Sequence, residues 1–236
     1  MDKQKGNDSA ILLMLVFIWL CSCMQKTSPS TDQVAKNNHR QLSLIHDIEK
    51  SSGYRYIHTD TTYAFSYGNG ITIQNSLPKG GNIEPGTPYI DSTGKIYFFA
   101  AFCTRIINGT NNALELTVNF PGESFPLSSS SDAYLKLLIP TDTMTVDKLS
   151  LYSYGLTGMK SFVDINFNQT TRLQKTIKPN EEHFFYIVTI SYQAGGPARS
   201  AVIMKDKDLF YSITMGPYDP LEIPCGKIAF KNELGN

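Results

Sequence analysis

Tryptophan is nearly absent from this chain of 236 residues: the single one is Trp19, close to the N-terminus. Charge of one sign is absent too. Lysine plus arginine number 21 and aspartate plus glutamate number 21, and charged residues make up only 18%, below the roughly 25% of an ordinary soluble domain. Without a basic excess the chain has no means of displacing counterions from a phosphate backbone, which excludes a sequence-independent nucleic-acid binder. Four cysteines in this length exclude a disulfide-dense miniprotein. An apolar content of 41% with no net charge excludes a disordered chain. The one long apolar run, Ile11–Leu20, has ten residues, too short for an ordinary transmembrane helix of roughly 20.

Chemical motifs are scarce as well. No glycine-x-serine-x-glycine elbow occurs. No phosphate-binding glycine loop is present, since Gly68-Asn69-Gly70 lies between strand-like runs rather than opening a helix. The histidines His39, His46, His58 and His183 lack the close pairing of metal ligands, so no metal and no cofactor is assigned. No catalytic residue is assigned either, and the chain reads as a non-enzyme. The scattered carboxylates Asp142, Asp147 and Asp164 keep one alternative open, because two of them could meet in space as a glycosidase pair.

What is present is clearest at the N-terminus. Ile11–Leu20 is preceded by Lys3 and Lys5 and followed by small residues, the layout of a secretory signal. Leu20-Cys21-Ser22-Cys23 resembles a bacterial lipobox, in which small residues precede the cysteine that receives the lipid. The resemblance implies cleavage between Ser22 and Cys23, acylation of Cys23 and a membrane contact made through acyl chains rather than a spanning helix. Met24 follows the cysteine where an inner-membrane-retained lipoprotein would carry aspartate, which implies an outer membrane. The next residues are not acidic, so the periplasmic and cell-surface faces both stay open. Residues 1–22 are thus read as signal peptide and 23–53 as lipid anchor, tether and a short helix. That helix is placed at His39–Lys50 from the spacing of Leu42, Ile45 and Ile48. The leader holds two lysines and two acids, leaving 19 charges of each sign beyond it.

Residues 54–236 read as an antiparallel all-β sandwich. Tyr63–Tyr67 and Ile71–Asn75 flank Gly68-Asn69-Gly70 as a hairpin. Leu77–Pro88, rich in proline and glycine, reads as a loop. Lys95–Ile107 is apolar on both faces, as in a doubly covered central strand, whereas Leu114, Leu116, Val118 and Phe120 alternate with polar residues, as in a strand with one wet face. Further strands are expected at Tyr134–Ile139, Leu149–Tyr154, Phe162–Phe167, Thr171–Ile177, His183–Tyr192, Arg199–Lys205, Leu209–Thr214 and Lys227–Lys231, with no amphipathic helix among them. Residues 54–88 belong either to the sandwich or to a small appendage. The turn Thr176-Ile177-Lys178-Pro179-Asn180-Glu181-Glu182, feeding the strand His183–Tyr192, resembles the proline-and-acid turn before a central strand in the immunoglobulin-like modules common in bacterial lipoproteins.

Cys103 and Cys225 remain after cleavage, as a candidate disulfide in an exported compartment or as two separate buried thiols. Tyr152, Tyr154, Tyr192, Tyr211 and Tyr218 are candidate binding residues, because a tyrosine ring offers a flat apolar face with a polar tip to a glycan or a protein. Asp60-Thr61-Thr62, Asp91-Ser92-Thr93 and Asp142-Thr143-Met144 resemble the short motif O-glycosylated on exported proteins of Bacteroidetes, which implies modification at Thr61, Ser92 and Thr143. The reading that follows is an outer-membrane lipoprotein, non-catalytic, that binds an envelope protein or a glycan. The alternatives are a lipid-anchored hydrolase and a protease-inhibitor-like module offering the loop Leu77–Pro88.

Overall fold

The computed structural model describes residues 56–231 except 66–67, 130–131 and 195–197. The expected signal peptide, Cys23, the tether and the helix at His39–Lys50 lie outside the described residues.

Among the described residues, thirteen strands form two antiparallel sheets. The larger sheet runs in the order β1 (Ile57–Tyr63), β2 (Gly68–Ser76), β5 (Ile96–Thr110), β10 (Glu182–Tyr192), β8 (Tyr134–Leu138) and β7 (Phe125–Pro126). Two short strands, β3 (Lys79–Gly81) and β4 (Tyr89–Ile90), pair with the first half of β5 beside the end of β2. The smaller sheet runs β11 (Ala198–Lys205), β12 (Asp208–Met215), β13 (Leu221–Phe230), β6 (Leu114–Phe120) and β9 (Thr171–Ile177). Residues 57–90 are therefore built into the larger sheet.

Alternation explains the layering. Phe102 and Ile106 of β5 join Ile71, Ile73, Leu114, Leu116, Val118, Phe120, Tyr211 and Ile228 in the core between the sheets. Tyr97, Phe99, Ala101 and Cys103 point the other way, into a second core with Leu138, Met144, Tyr154, Met159, Val163, Tyr186 and Val188. This second core is covered by residues 143–167, so β5 is covered on both faces over Ala101–Ile106, as its two apolar faces predict, whereas Ile96 and Phe98, expected on the covered strand, are 59% and 55% exposed.

The sheets curl toward each other where β2 approaches β11. The Asn75 side chain there acts as a strand partner: its Nδ2 donates to the Val202 carbonyl at 3.1 Å, and its Oδ1 accepts from Val202 N–H at 2.9 Å. Tyr63 Oη accepts from Met204 N–H at 2.9 Å. These bonds satisfy an edge that would otherwise expose unpaired backbone groups.

Several elements differ from expectation. The hairpin is present, with β1 pairing β2 up to Tyr63 opposite Ile71, but its first strand ends at Tyr63 and Gly68-Asn69-Gly70 opens β2. Gly70 is needed there because a Cβ would sit 2.3 Å from the Tyr63 carbonyl oxygen. Leu149–Tyr154 is not a strand but part of two 3₁₀ turns, Val146–Ser150 and Tyr152–Gly155. Ser153 and Tyr154 adopt φ 44° and 56°, left-handed values that no strand allows. Phe162–Phe167 lies largely in a helix, α1 (Met159–Asn166), which corrects the expectation of no helix in this part of the chain. Val163, Ile165 and Phe167 alternate with Asp164 and Asn166 and so mimic a strand, yet Ile165 is 73% exposed, while Met159 and Val163, one turn apart, are buried. The last strand starts six residues earlier than expected, at Leu221, and takes in Gly226, where a Cβ would meet the Thr117 oxygen at 1.9 Å.

Candidate functional site

A cavity of about 890 Å³ lies between α1 and the end of the larger sheet where β4, β5 and β8 come together. Its floor follows from strand register. Tyr89 of β4 stands opposite Tyr97 of β5, and cross-strand partners share one face of a sheet. The rings of Tyr97 and Tyr89 are 5.6 Å apart, those of Tyr97 and Phe167 5.4 Å, those of Tyr97 and Tyr192 5.5 Å, and those of Tyr134 and Tyr192 5.4 Å. Tyr134 and Phe167 are half-buried and line this cavity, and half-buried Tyr192 lines an adjoining hollow.

The polar wall comes from the turn between β4 and β5. Asp91 Oδ1 accepts from Thr93 N–H (2.8 Å), Thr93 Oγ1 (2.7 Å) and Lys95 N–H (3.0 Å), and Oδ2 accepts from Tyr97 Oη (2.8 Å). These bonds, with Thr93 foremost, hold the carboxyl pKa down to about 2. Tyr97 Oη also lies 2.8 Å from Tyr134 Oη. Burial raises the hydroxyl pKa of both Tyr97 and Tyr89 above the ordinary tyrosine value. Across the cavity, Asp164 pairs with Lys160 at 2.7 Å. Lys95 Nζ sits 4.8 Å from the Tyr192 ring centre and 5.8 Å from that of Tyr134.

Both carboxylates in the cavity therefore have partners. Asp91 is bonded on both oxygens and stabilised as the anion, the opposite of what a general acid needs. Of the three carboxylates singled out in the sequence, Asp164 lines the cavity, while Asp142 and Asp147 do not. Among the described residues, no group of three or more histidine, cysteine or acidic side chains is placed to hold a metal ion.

The candidate tyrosines divide. Tyr154 and Tyr211 are 0% and 1% exposed and so present no ring to a partner; alternation directs Tyr211 between the sheets, and Tyr154 is drawn inward by a bond from its hydroxyl to the Leu77 carbonyl. Tyr218 is half-buried against the inter-sheet core and bonds the Gln193 carbonyl at 3.2 Å. Tyr152 is exposed and donates to the Asn82 carbonyl at 2.7 Å. Only Tyr192 stands at the cavity, in an adjoining hollow with Tyr134 and Lys95.

Cys103 and Cys225 are free and buried, so the candidate disulfide is not formed. They belong to different cores: Cys103 points toward the helical cover and Cys225 between the sheets. Burial pushes both thiols up to about 12, which makes them poor nucleophiles. Thr61, Ser92 and Thr143 are exposed, Ser92 on the cavity rim. Leu77–Pro88 is tied down by β3 and by buried Ile83, with Glu84–Thr87 as an exposed tight turn. Ser22 and Cys23 lie outside the described residues. Among those residues no helix is long and apolar enough to cross a membrane.

Sequence reasoning passed over Tyr89, Tyr97, Tyr134, Lys95, Lys136 and Phe167. Two signals were available: tyrosines bracketing the turn Asp91–Lys95, and a lone lysine within the apolar run Tyr134–Ile139. No known family model matches the chain, and no curated protein matches it in sequence, so a functional reading must come from this cavity and the N-terminal motif.

Proposed function

We propose that the protein is a lipid-anchored, non-catalytic module of the outer membrane that binds a saccharide in the tyrosine-lined cavity. One observation carries the binding reading: half-buried rings of Tyr134, Tyr192 and Phe167 border a polar cavity rimmed by Ser92, Thr93, Ser124 and Asn168. Flat apolar faces beside hydroxyl and amide groups suit a sugar, whose ring has an apolar face and an edge of hydroxyls. The anchor rests on the lipobox at Leu20–Cys23. The hydrolase reading draws on Asp91 and Asp164 lining the same cavity; the four donors on Asp91 speak against it.

Titration of the mature full chain in detergent with a panel of neutral and acidic oligosaccharides tests the binding reading. Tyrosine fluorescence serves as the readout, because no tryptophan follows Trp19. Tyr134→Ala is expected to weaken binding about tenfold, roughly 1.4 kcal/mol, with the melting temperature changed little. No saccharide binding across the panel overturns the proposal. For the anchor, Cys23→Ala expressed in a diderm bacterium is expected to move the protein from the membrane to the soluble fraction, and membrane retention of the variant refutes it.

A further inference from the structure

Lys136 on β8 is 5% exposed and lines the cavity. Its Nζ donates to the Gly122 carbonyl at 2.8 Å and to Asn168 Oδ1 at 3.1 Å, and lies 4.5 Å from the Phe167 ring centre. Among the described residues no carboxylate stands within 4.0 Å of it. An ammonium carries three donors, and two of these are engaged, both by neutral acceptors. Withdrawing a cation from water without a counter-charge costs several kcal/mol, and a strand interior offers no structural need for one.

The second cation on this wall, Lys95, is held over Tyr192 and Tyr134 and likewise lacks a carboxylate partner among the described residues. The acids of the cavity do not answer these charges. Asp164 is paired with Lys160, and the oxygens of Asp91 are filled by the turn and by Tyr97. Lys79, on the same side of the larger sheet, shows what a self-sufficient lysine looks like here. It donates to the carbonyls of Leu149 and Leu151 and lies between the rings of Tyr56 and Tyr154, at 4.9 and 4.7 Å from their centres. Lys136 has one ring in place of two and an open cavity in place of the second.

We infer that the cavity takes an acidic saccharide, with a sugar carboxylate seated on Lys136 Nζ beside Lys95 and the sugar ring against Tyr134 and Tyr192. The inference rests on the saccharide reading above and adds the charge of the ligand. Burial already lowers the Lys136 pKa from its ordinary value, and a bound carboxylate would raise it again by favouring the ammonium form.

The test compares oligogalacturonate and oligoglucuronate with their neutral methyl esters, using the mature full chain in detergent. The acids are expected to bind at least tenfold more tightly than the esters. Lys136→Met is expected to abolish the acid-over-ester preference, whereas Tyr134→Ala weakens both and keeps that preference. Should Lys136→Met fold poorly, the wild-type Lys136 ammonium NMR signal supplies the second measurement: it is expected to shift with acid and stay still with ester. Equal binding of acid and ester overturns the inference and leaves the saccharide reading standing. Binding of neither overturns both. A Lys136 shift produced by sodium acetate as strongly as by the sugars keeps an anion site and overturns the saccharide.

Discussion

On one face of β5, Phe102 and Ile106 meet a second sheet; on the other, Tyr97, Phe99 and Cys103 meet a helix of eight residues and two 3₁₀ turns. The first face is closed by long ladders and by aliphatic side chains such as Leu114, Leu116 and Val118, all at 0% exposure. The second is closed by short segments held through polar pins: the Lys79 ammonium on two carbonyls, Tyr154 Oη on the Leu77 carbonyl and Tyr186 Oη on the Tyr154 carbonyl at 2.8 Å. Continuous ladders exclude water along their whole length. A pinned cover leaves a gap where its pins end, and the cavity lies at that gap, past α1. The contrast assigns stability chiefly to one side of β5 and binding to the other.

The largest effect expected from this contrast is in the inter-sheet core. Leu116→Ala should lose about 3–5 kcal/mol, because the rigid ladders on both sides of β6 prevent the hole from collapsing. Met159→Ala in the cover should lose about 2 kcal/mol, since a two-turn helix can settle inward. Denaturant unfolding of both variants checks the order. Native-state hydrogen exchange sharpens it, with amides of α1 expected to open at a lower free energy than those of β6. Equal losses and equal protection would break the contrast.

The sequence announces these two sides unequally. Strict alternation in Leu114–Phe120 and the double apolar face of Lys95–Ile107 reveal the strands that build the stable core, because period two survives wherever a ladder is long. The cover was misread, since Val163, Ile165 and Phe167 imitate that period over the few residues of a short helix, and the left-handed Ser153 and Tyr154 carry no sequence sign of their own. The cavity suffered most. Its parts come from β4, β5, β8, β10 and α1, so its five rings meet only through register and long-range packing. Asp91-Ser92-Thr93 stood out as a modification motif, while its structural work, a carboxylate gathering two N–H groups and two hydroxyls, depends on Tyr97 across the turn.

That carboxylate gives the smallest effect and the most direct test of whether the cavity wall is pre-formed. Asp91 titrates at about 2 in the folded protein, against about 3.9 for an unperturbed aspartate. A carboxyl depressed by folding contributes stability that is fully present above the unfolded value and lost as pH falls through the folded one. The turn between β4 and β5 should therefore hold at pH 5 and loosen between about pH 4 and about 2. In an NMR titration the Thr93 and Lys95 amides should shift together with a midpoint at about 2. Asp91→Asn should remove that step and, at neutral pH, weaken ligand binding more than it lowers the melting temperature, because the turn carries the cavity rim while the main core lies on the far side of β5. A midpoint near 4 would mean that the bonds to Asp91 form only transiently, and that the wall carrying Tyr89 and Tyr97 is shaped by the ligand rather than for it.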